Sequence, residues 1–189
     1  MQMREVKNEV KNKKGIIGVD QDDVLAELLP KWIDTYNKLY GDKLCVDDIK
    51  TWNIHQYVKP CCGEKIYDIL SFHKFYRDLK VVPHSQEVLK ELSKDYDIYI
   101  ITDAMASRMS FKAKFDWLQE NFPFIPKSHY IFTGDKSIFK GDYLIDDGVH
   151  NLEKFSGKGL LFTQPHNKKC DKFERFNNWL EIGEYFKNK

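Results

Sequence analysis

No stretch of the 189 residues approaches the ~20 consecutive apolar positions that a membrane-crossing helix needs. The opening segment, Met1 to Lys14, is charged throughout and lacks the apolar core of a secretory leader, so residues 1–14 are expected to form a flexible, solvated tail. Cysteine is scarce. The four present (Cys45, Cys61, Cys62 and Cys170), with no leader ahead of them, read as reduced thiols of the cytoplasm. Cys61 and Cys62 are adjacent and their side chains diverge, so even with His55 and His73 nearby they lack the spacing of a zinc knuckle. An excess of one charge is also missing, since 30 Lys and Arg face 29 Asp and Glu, for a formal net charge of +1. A long polyanion requires a concentrated basic face, so this balance argues against long nucleic acid as a partner. A single nucleotide needs only local positive charge and stays open. Repeats and low-complexity segments are absent as well. The length suits one domain, or one core domain with an insertion, and is enough to bury a core without staples.

The apolar runs 15–19, 98–101, 129–132, 142–145 and 159–162 are short, continuous, and β-branched or aromatic. Strands covered on both faces read this way. Helical spacing fills the intervals between them: Val88, Leu89 and Leu92 within Pro83–Ser93; Phe111, Phe115, Leu118 and Phe122; and Phe173, Phe176, Trp179 and Leu180 within Phe173–Phe186. Strands alternating with helices imply right-handed crossovers and a mostly parallel α/β sheet flanked by helices. One interval, residues 26–82, breaks the rhythm. It carries no convincing strand but several helical patterns: Leu28, Leu29, Trp32, Ile33, Tyr36 and Leu39; Val46 to Trp52; and Ile66, Tyr67, Leu70, Phe72 and Phe75. The expected organisation is a core of residues 15–25 and 83–189, with a helical cap over 26–82 that shields a site from water.

Polar residues arrive where the apolar runs stop. Asp20-Gln21-Asp22-Asp23 follows the first run, Thr102-Asp103 the second, Gly134-Asp135-Lys136 the third and Asp146-Asp147 the fourth. In an open parallel sheet, ligands bind outside the carboxyl ends of the strands. Residues i and i+2 share a face in extended chain, so Asp20 and Asp22 can enter one pocket, one as nucleophile or metal ligand and the other as proton donor. A helix cap would explain one of these aspartates but not three. Asp146-Asp147 with Asp20 would suit Mg²⁺, which favours carboxylate and phosphate oxygens, although Asp-Asp-Gly is also ordinary turn chemistry. Lys136 could neutralise the carboxylates and hold a phosphoryl oxygen, or be a surface lysine in a turn. The Thr102 hydroxyl suits a phosphate site.

In this order, the four segments resemble the motifs of haloacid-dehalogenase-type (HAD) phosphatases, which have a Rossmann-like fold. Phe75-Tyr76-Arg77-Asp78-Leu79, Pro83, Phe115-Asp116-Trp117, Asp135-Lys136-Ser137 and Gly141-Asp142-Tyr143-Leu144-Ile145-Asp146-Asp147 narrow the resemblance to the 5'(3')-deoxyribonucleotidases of that superfamily, over about residues 15 to 152. The resemblance implies that Asp20 attacks phosphorus and carries the phosphoryl group, while Asp22 protonates the leaving sugar oxygen and then deprotonates water. It implies Mg²⁺ on Asp20, the Asp22 carbonyl and the Asp146/Asp147 pair, with Asp147 as the direct ligand. Thr102 and Lys136 would hold the transferring oxygens, with Asp103 at the same phosphate-binding turn.

Three positions depart from the family. Asp23 replaces a frequent glycine, Asp103 stands where animal members carry serine, and Leu28 stands where the family has a phenylalanine near the base. Aspartate tolerates turn geometry, whereas an Asp103 carboxylate aimed at the phosphate would repel it and is expected to face away or to alter the sugar contacts. Leu28, Trp32, Trp52, Tyr57, Phe72 and Tyr76 are candidates for the leaving-group pocket, although aromatics in a small cap also serve as its core. His55, His84, His129 and His150 are expected to be structural or surface residues.

The expected activity is therefore a cytoplasmic, Mg²⁺-dependent phosphomonoesterase, monomeric or homodimeric, acting on a small phosphate ester and above all on deoxyribonucleoside monophosphates. The alternatives are the same chemistry on another nucleotide or a sugar phosphate, or a non-catalytic phosphate- or metal-binding relative. Asp22 speaks against the last, because binding alone needs no second, proton-carrying carboxylate.

Overall fold

A computed structural model describes residues 12–104 and 108–189. The side chains of His73, Arg108 and Met109 lie outside the described set, as does most of the expected tail over 1–14. The last residue of that stretch is tied down, the Lys14 N–H donating to the Asp95 carbonyl at 2.6 Å.

Six parallel strands form one sheet: β1 Gly15–Val19, β2 Tyr96–Thr102, β3 Tyr130–Phe132, β4 Tyr143–Asp146, β5 Lys158–Phe162 and β6 Glu174–Phe176, in the order β3-β2-β1-β4-β5-β6. The chain runs outward from β1 through β2 to β3, then returns to the other side of β1 for β4, β5 and β6. The strand order therefore reverses at β1, where an open α/β sheet forms its ligand crevice. Helices α3 (Ser85–Leu92), α4 (Arg108–Asn121), α5 (Val149–Lys154) and α6 (Trp179–Lys187) flank the sheet. Gly18 permits close packing under the site, since a Cβ there would fall 2.5 Å from Phe139 and 2.6 Å from Ile101.

The five expected strands form, and β6 is an addition. The helix expected over Phe173–Phe186 gives way to this edge strand, because Asn178 caps α6 by accepting the Glu181 N–H at 3.0 Å. That start re-registers the buried face to Trp179, Ile182 and Phe186 and leaves Leu180 exposed. On α4 the covered face is Ser110, Ala113, Lys114, Trp117 and Leu118. Phe111 and Phe115 instead lie sideways against Phe132 and Tyr130 of edge strand β3.

A helical insertion follows β1. It comprises α1 Leu28–Tyr40, which ends at left-handed Gly41, then 3₁₀ turns Val46–Asp48 and Ile54–Gln56, a 3₁₀ segment Gly63–Ser71, and α2 His73–Arg77. The Val46–Trp52 pattern yields only a single 3₁₀ turn. Entry and exit of the insertion lie side by side, Glu27 N–H donating to the Lys80 carbonyl at 2.9 Å and Val82 N–H to the Leu25 carbonyl at 2.8 Å. Two buried tryptophans fasten the neck: Trp179 donates to the Val24 carbonyl at 2.8 Å and Trp117 to the Leu79 carbonyl at 2.9 Å. These bonds satisfy indole N–H groups that would be costly to bury unpaired.

Candidate active site

Sheet register brings the first and fourth acidic segments together. Val19 pairs with Ile145, and the Asp20 N–H continues the ladder onto the Ile145 carbonyl at 2.9 Å, so Asp20 and Asp146 emerge abreast. Lys136 reaches both, with its ammonium 2.8 Å from Asp20 Oδ1 and 2.7 Å from Asp146 Oδ2. It is presented by a 3₁₀ turn, Lys136–Ile138, that Asp135 caps by accepting the Ser137 N–H at 3.0 Å. Asp146 is saturated: Oδ1 also accepts the Gly148 N–H at 2.7 Å, and the Asn151 amide lies 3.2 Å from both oxygens. Asp147 is held more loosely, with His166 Nε2 3.3 Å from Oδ2.

Ligand atoms of Asp20, Asp146 and Asp147 lie within 4.8 Å of one another, all buried. Burial pushes the Asp20 carboxyl well above its ordinary range; Lys136 opposes the rise, and Asp146, Asp147 and Asp22 add to it. Asp147 is raised by burial against the pull of His166. Burial depresses the Lys136 ammonium, but Asp146 and Asp20 more than offset this and hold it above its usual value. Both groups are thus shifted upward, which favours the charged form of Lys136 and disfavours that of Asp20. Lys136 stays charged, and it is the carboxylates that lack counter-charge, because one ammonium serves several of them. A hard divalent cation with oxygen preference fits this donor set.

Asp22 has a different neighbour. Its Oδ2 lies 2.5 Å from the ammonium of Lys114, while its Oδ1 is buried with no partner among the described residues. Lys114 is 1% exposed and also donates to the Thr102 hydroxyl at 3.0 Å and to the Asp103 carbonyl. The sequence reading missed this lysine. The available signal was a charged residue at helical spacing with Trp117 and Leu118, on what proves to be the covered face of α4.

Residues 14–188 match the family described as 5' nucleotidase, deoxy (pyrimidine), cytosolic type C. The chain is 44% identical over 170 residues to a 5'(3')-deoxyribonucleotidase of Bacillus subtilis, covering 89% of this chain and 96% of that one. It is 42% identical over 168 residues to a 5'(3')-deoxyribonucleotidase of Clostridium acetobutylicum, covering 89% and 92%. The chain belongs to this nucleotidase family. A haloacid-dehalogenase-like protein of Agrobacterium tumefaciens shares the fold, with a TM-score of 0.62 at 14% identity, covering 92% of this chain and 97% of that one.

In this family member the acidic floor opens into a cavity of about 370 Å³. Of the expected leaving-group residues, Leu28, Trp32, Trp52 and Tyr76 line it. Phe72 and Tyr57 do not; Phe72 is 61% exposed, and Tyr67 lines the cavity in their stead. Asp103 is on the wall, whereas Thr102 is buried off it, with its hydroxyl on Lys114. Asp23 has φ 55°, which explains the frequent glycine, and its carboxylate earns its place by accepting the Leu29 N–H at 2.8 Å at the start of α1. His150 is exposed, in keeping with a surface residue, and also lines the cavity. His129 does not, and it fits its structural reading, stacking on Tyr99 with ring centroids 4.1 Å apart.

Proposed function

We propose that this protein hydrolyses deoxyribonucleoside monophosphates to deoxyribonucleoside and phosphate through a phosphorylated Asp20, with Mg²⁺ as cofactor. The observation that carries the proposal is that two carboxylates two positions apart receive different partners. Asp20 sits with Lys136 among other carboxylates, while Asp22 is held through one oxygen by Lys114 with the other left without a partner among the described residues. Paired carboxyl groups in distinct environments are how one site divides nucleophile from acid–base.

The Asp20 carboxylate attacks phosphorus in line, and the bond from phosphorus to the sugar oxygen breaks as Asp22 gives that oxygen its proton. Asp22 then takes a proton from the water that attacks phosphorus, releasing phosphate and restoring the Asp20 carboxylate. Lys136 balances charge on the transferring oxygens, with Asp103 on the cavity wall, while Thr102, buried off the cavity, acts through its hydroxyl on Lys114. Asp20, Asp147 and the Asp22 carbonyl would hold Mg²⁺, with the saturated Asp146 supporting them, and the bound cation supplies the positive charge that these carboxylates and a phosphate both need.

Residues 26–82 act as the cap over a core of residues 15–25 and 83–189. The paired neck and the cavity walls supplied from both parts support this division. Leu28, Trp32, Trp52 and Tyr76 would face the nucleoside. No helix among the described residues is long and apolar enough to cross a membrane, and four unpaired thiols suit the cytoplasm, where the protein works as a monomer or homodimer.

Phosphate release from a panel of 5'- and 3'-deoxynucleotides, ribonucleotides and sugar phosphates, with and without Mg²⁺, tests the reading. The expected result is Mg²⁺-dependent turnover highest on deoxynucleotides. Turnover confined to sugar phosphates would remove the nucleotide assignment.

A further inference from the structure

We infer that His166 is a positioning residue that steadies Asp147 with its Nε2 proton and seats Trp52 with its ring, tying the cation site to the cap wall of the cavity. The inference rests on the reading of Asp147 as a cation ligand.

The turn that carries His166, Pro165–Asn167, follows β5 and is pinned to both acidic segments. Gln164 donates to the Asp23 carbonyl at 2.6 Å, and Asn167 to the Asp147 carbonyl at 2.9 Å and the Phe162 carbonyl at 2.8 Å. Arg175 of β6 buttresses the turn, donating to Asn167 Oδ1 and to its carbonyl, each at 2.9 Å. A loop held at so many points presents its side chain in a set direction.

The His166 side chain is about nine-tenths buried. Its Nε2 lies 3.3 Å from Asp147 Oδ2 but is not aligned as a hydrogen bond, and it has no other partner among the described residues. A buried ring nitrogen is costly to leave unpaired, and the acceptor beside it, Asp147 Oδ2, belongs to the acidic cluster. The contrast with Asp146 makes the point. Lysine, backbone and amide donors all converge on Asp146, whereas among the described residues the nearest donor to the Asp147 carboxylate is His166, at 3.3 Å. A ligand carboxylate that is free to rotate must be ordered when the cation binds, and an outer-shell donor removes that cost. On its other side, the His166 ring meets Trp52 edge-on, with centroids 4.9 Å apart. One side chain thus touches a core carboxylate and the cap.

Two substitutions separate these duties. His166→Phe keeps a ring against Trp52 but lacks the donor, and His166→Gln keeps an amide donor near the Nε2 position but lacks the ring. Mn²⁺ binding by electron paramagnetic resonance without substrate, and KM for thymidine 5'-monophosphate at saturating Mg²⁺, are measured on the full chain. His166→Phe should weaken Mn²⁺ binding roughly 10-fold or more with KM little changed. His166→Gln should stay within about 3-fold of the parent for Mn²⁺ while raising KM about 5-fold or more, the stacking range. Lys168→Ala, which severs only the exposed Lys168–Asp47 pair beside the turn, should move neither value. Parental Mn²⁺ affinity in His166→Phe, or equal loss of both properties in both variants, including by misfolding, would overturn the inference and leave His166 as packing. Asp147→Asn keeps the two readings apart, because unchanged Mn²⁺ affinity in that variant would remove the cation assignment itself.

Discussion

The floor of the cavity and its cap-side wall are built on opposite plans. The floor is made at strand ends, where register places Asp20 beside Asp146 and Lys136 bridges the two. The wall is made from α1, short 3₁₀ turns and aromatic rings; Trp52 is 59% exposed and meets the rings of His150 and His166 edge-on. Chemistry that must stay the same for every ester belongs on the rigid part, while recognition of a particular leaving group belongs on the part whose residues can change without disturbing the sheet.

If that contrast is correct, floor substitutions act on kcat and wall substitutions on KM. Asp20→Asn is expected to have the largest effect, lowering kcat by roughly 10⁴-fold or more on every ester, measured as phosphate release. Lys114→Ala follows. Without its cation, Asp22 loses its orientation, and kcat on a nucleotide should fall by roughly 10²–10³-fold. The loss should be smaller on p-nitrophenyl phosphate, whose leaving group needs no proton. Equal losses on both would mean that Lys114 serves the phosphate rather than Asp22.

Smallest are the wall effects. Trp52→Ala should raise KM for deoxynucleotides about 5- to 100-fold, the range of one stacked base, with little change for p-nitrophenyl phosphate. Phe72→Ala, off the cavity, should leave both kinetic constants within about 2-fold and shift stability by less than about 0.5 kcal/mol. A Phe72 variant as damaging as the Trp52 variant would break the distinction between wall and exterior.

The same division governed what could be read in advance. Strands β1 to β5 were legible because strands covered on both faces must be continuously apolar, and the acidic doublets stood out because each ends such a run. Lys114 was hidden, because an apolar-stripe reading of Phe111–Phe122 looks past a lysine on the covered face. Strand β6 was hidden because Glu174-Arg175-Phe176 is too short and charged to signal a strand. In the cap, the helical spacing of 66–75 marked Ile66 and Phe75, which are buried, but also Phe72, which is exposed, since a 3₁₀ segment turns its side chains at a different period from an α-helix. His166 and Asn167 carried no spacing signal, because their partners Asp147, Phe162 and Trp52 are brought to them only by the folded sheet and cap.

The most direct test of the central claim is to find the phosphoryl group on the protein. Rapid acid quench of the enzyme turning over a ³²P-labelled deoxynucleotide, followed by borohydride reduction and peptide mass spectrometry, should place the label and the reduced carboxyl at Asp20 within the first turnover. Full turnover with no labelled protein at any quench time, or label on a different side chain, would contradict the account.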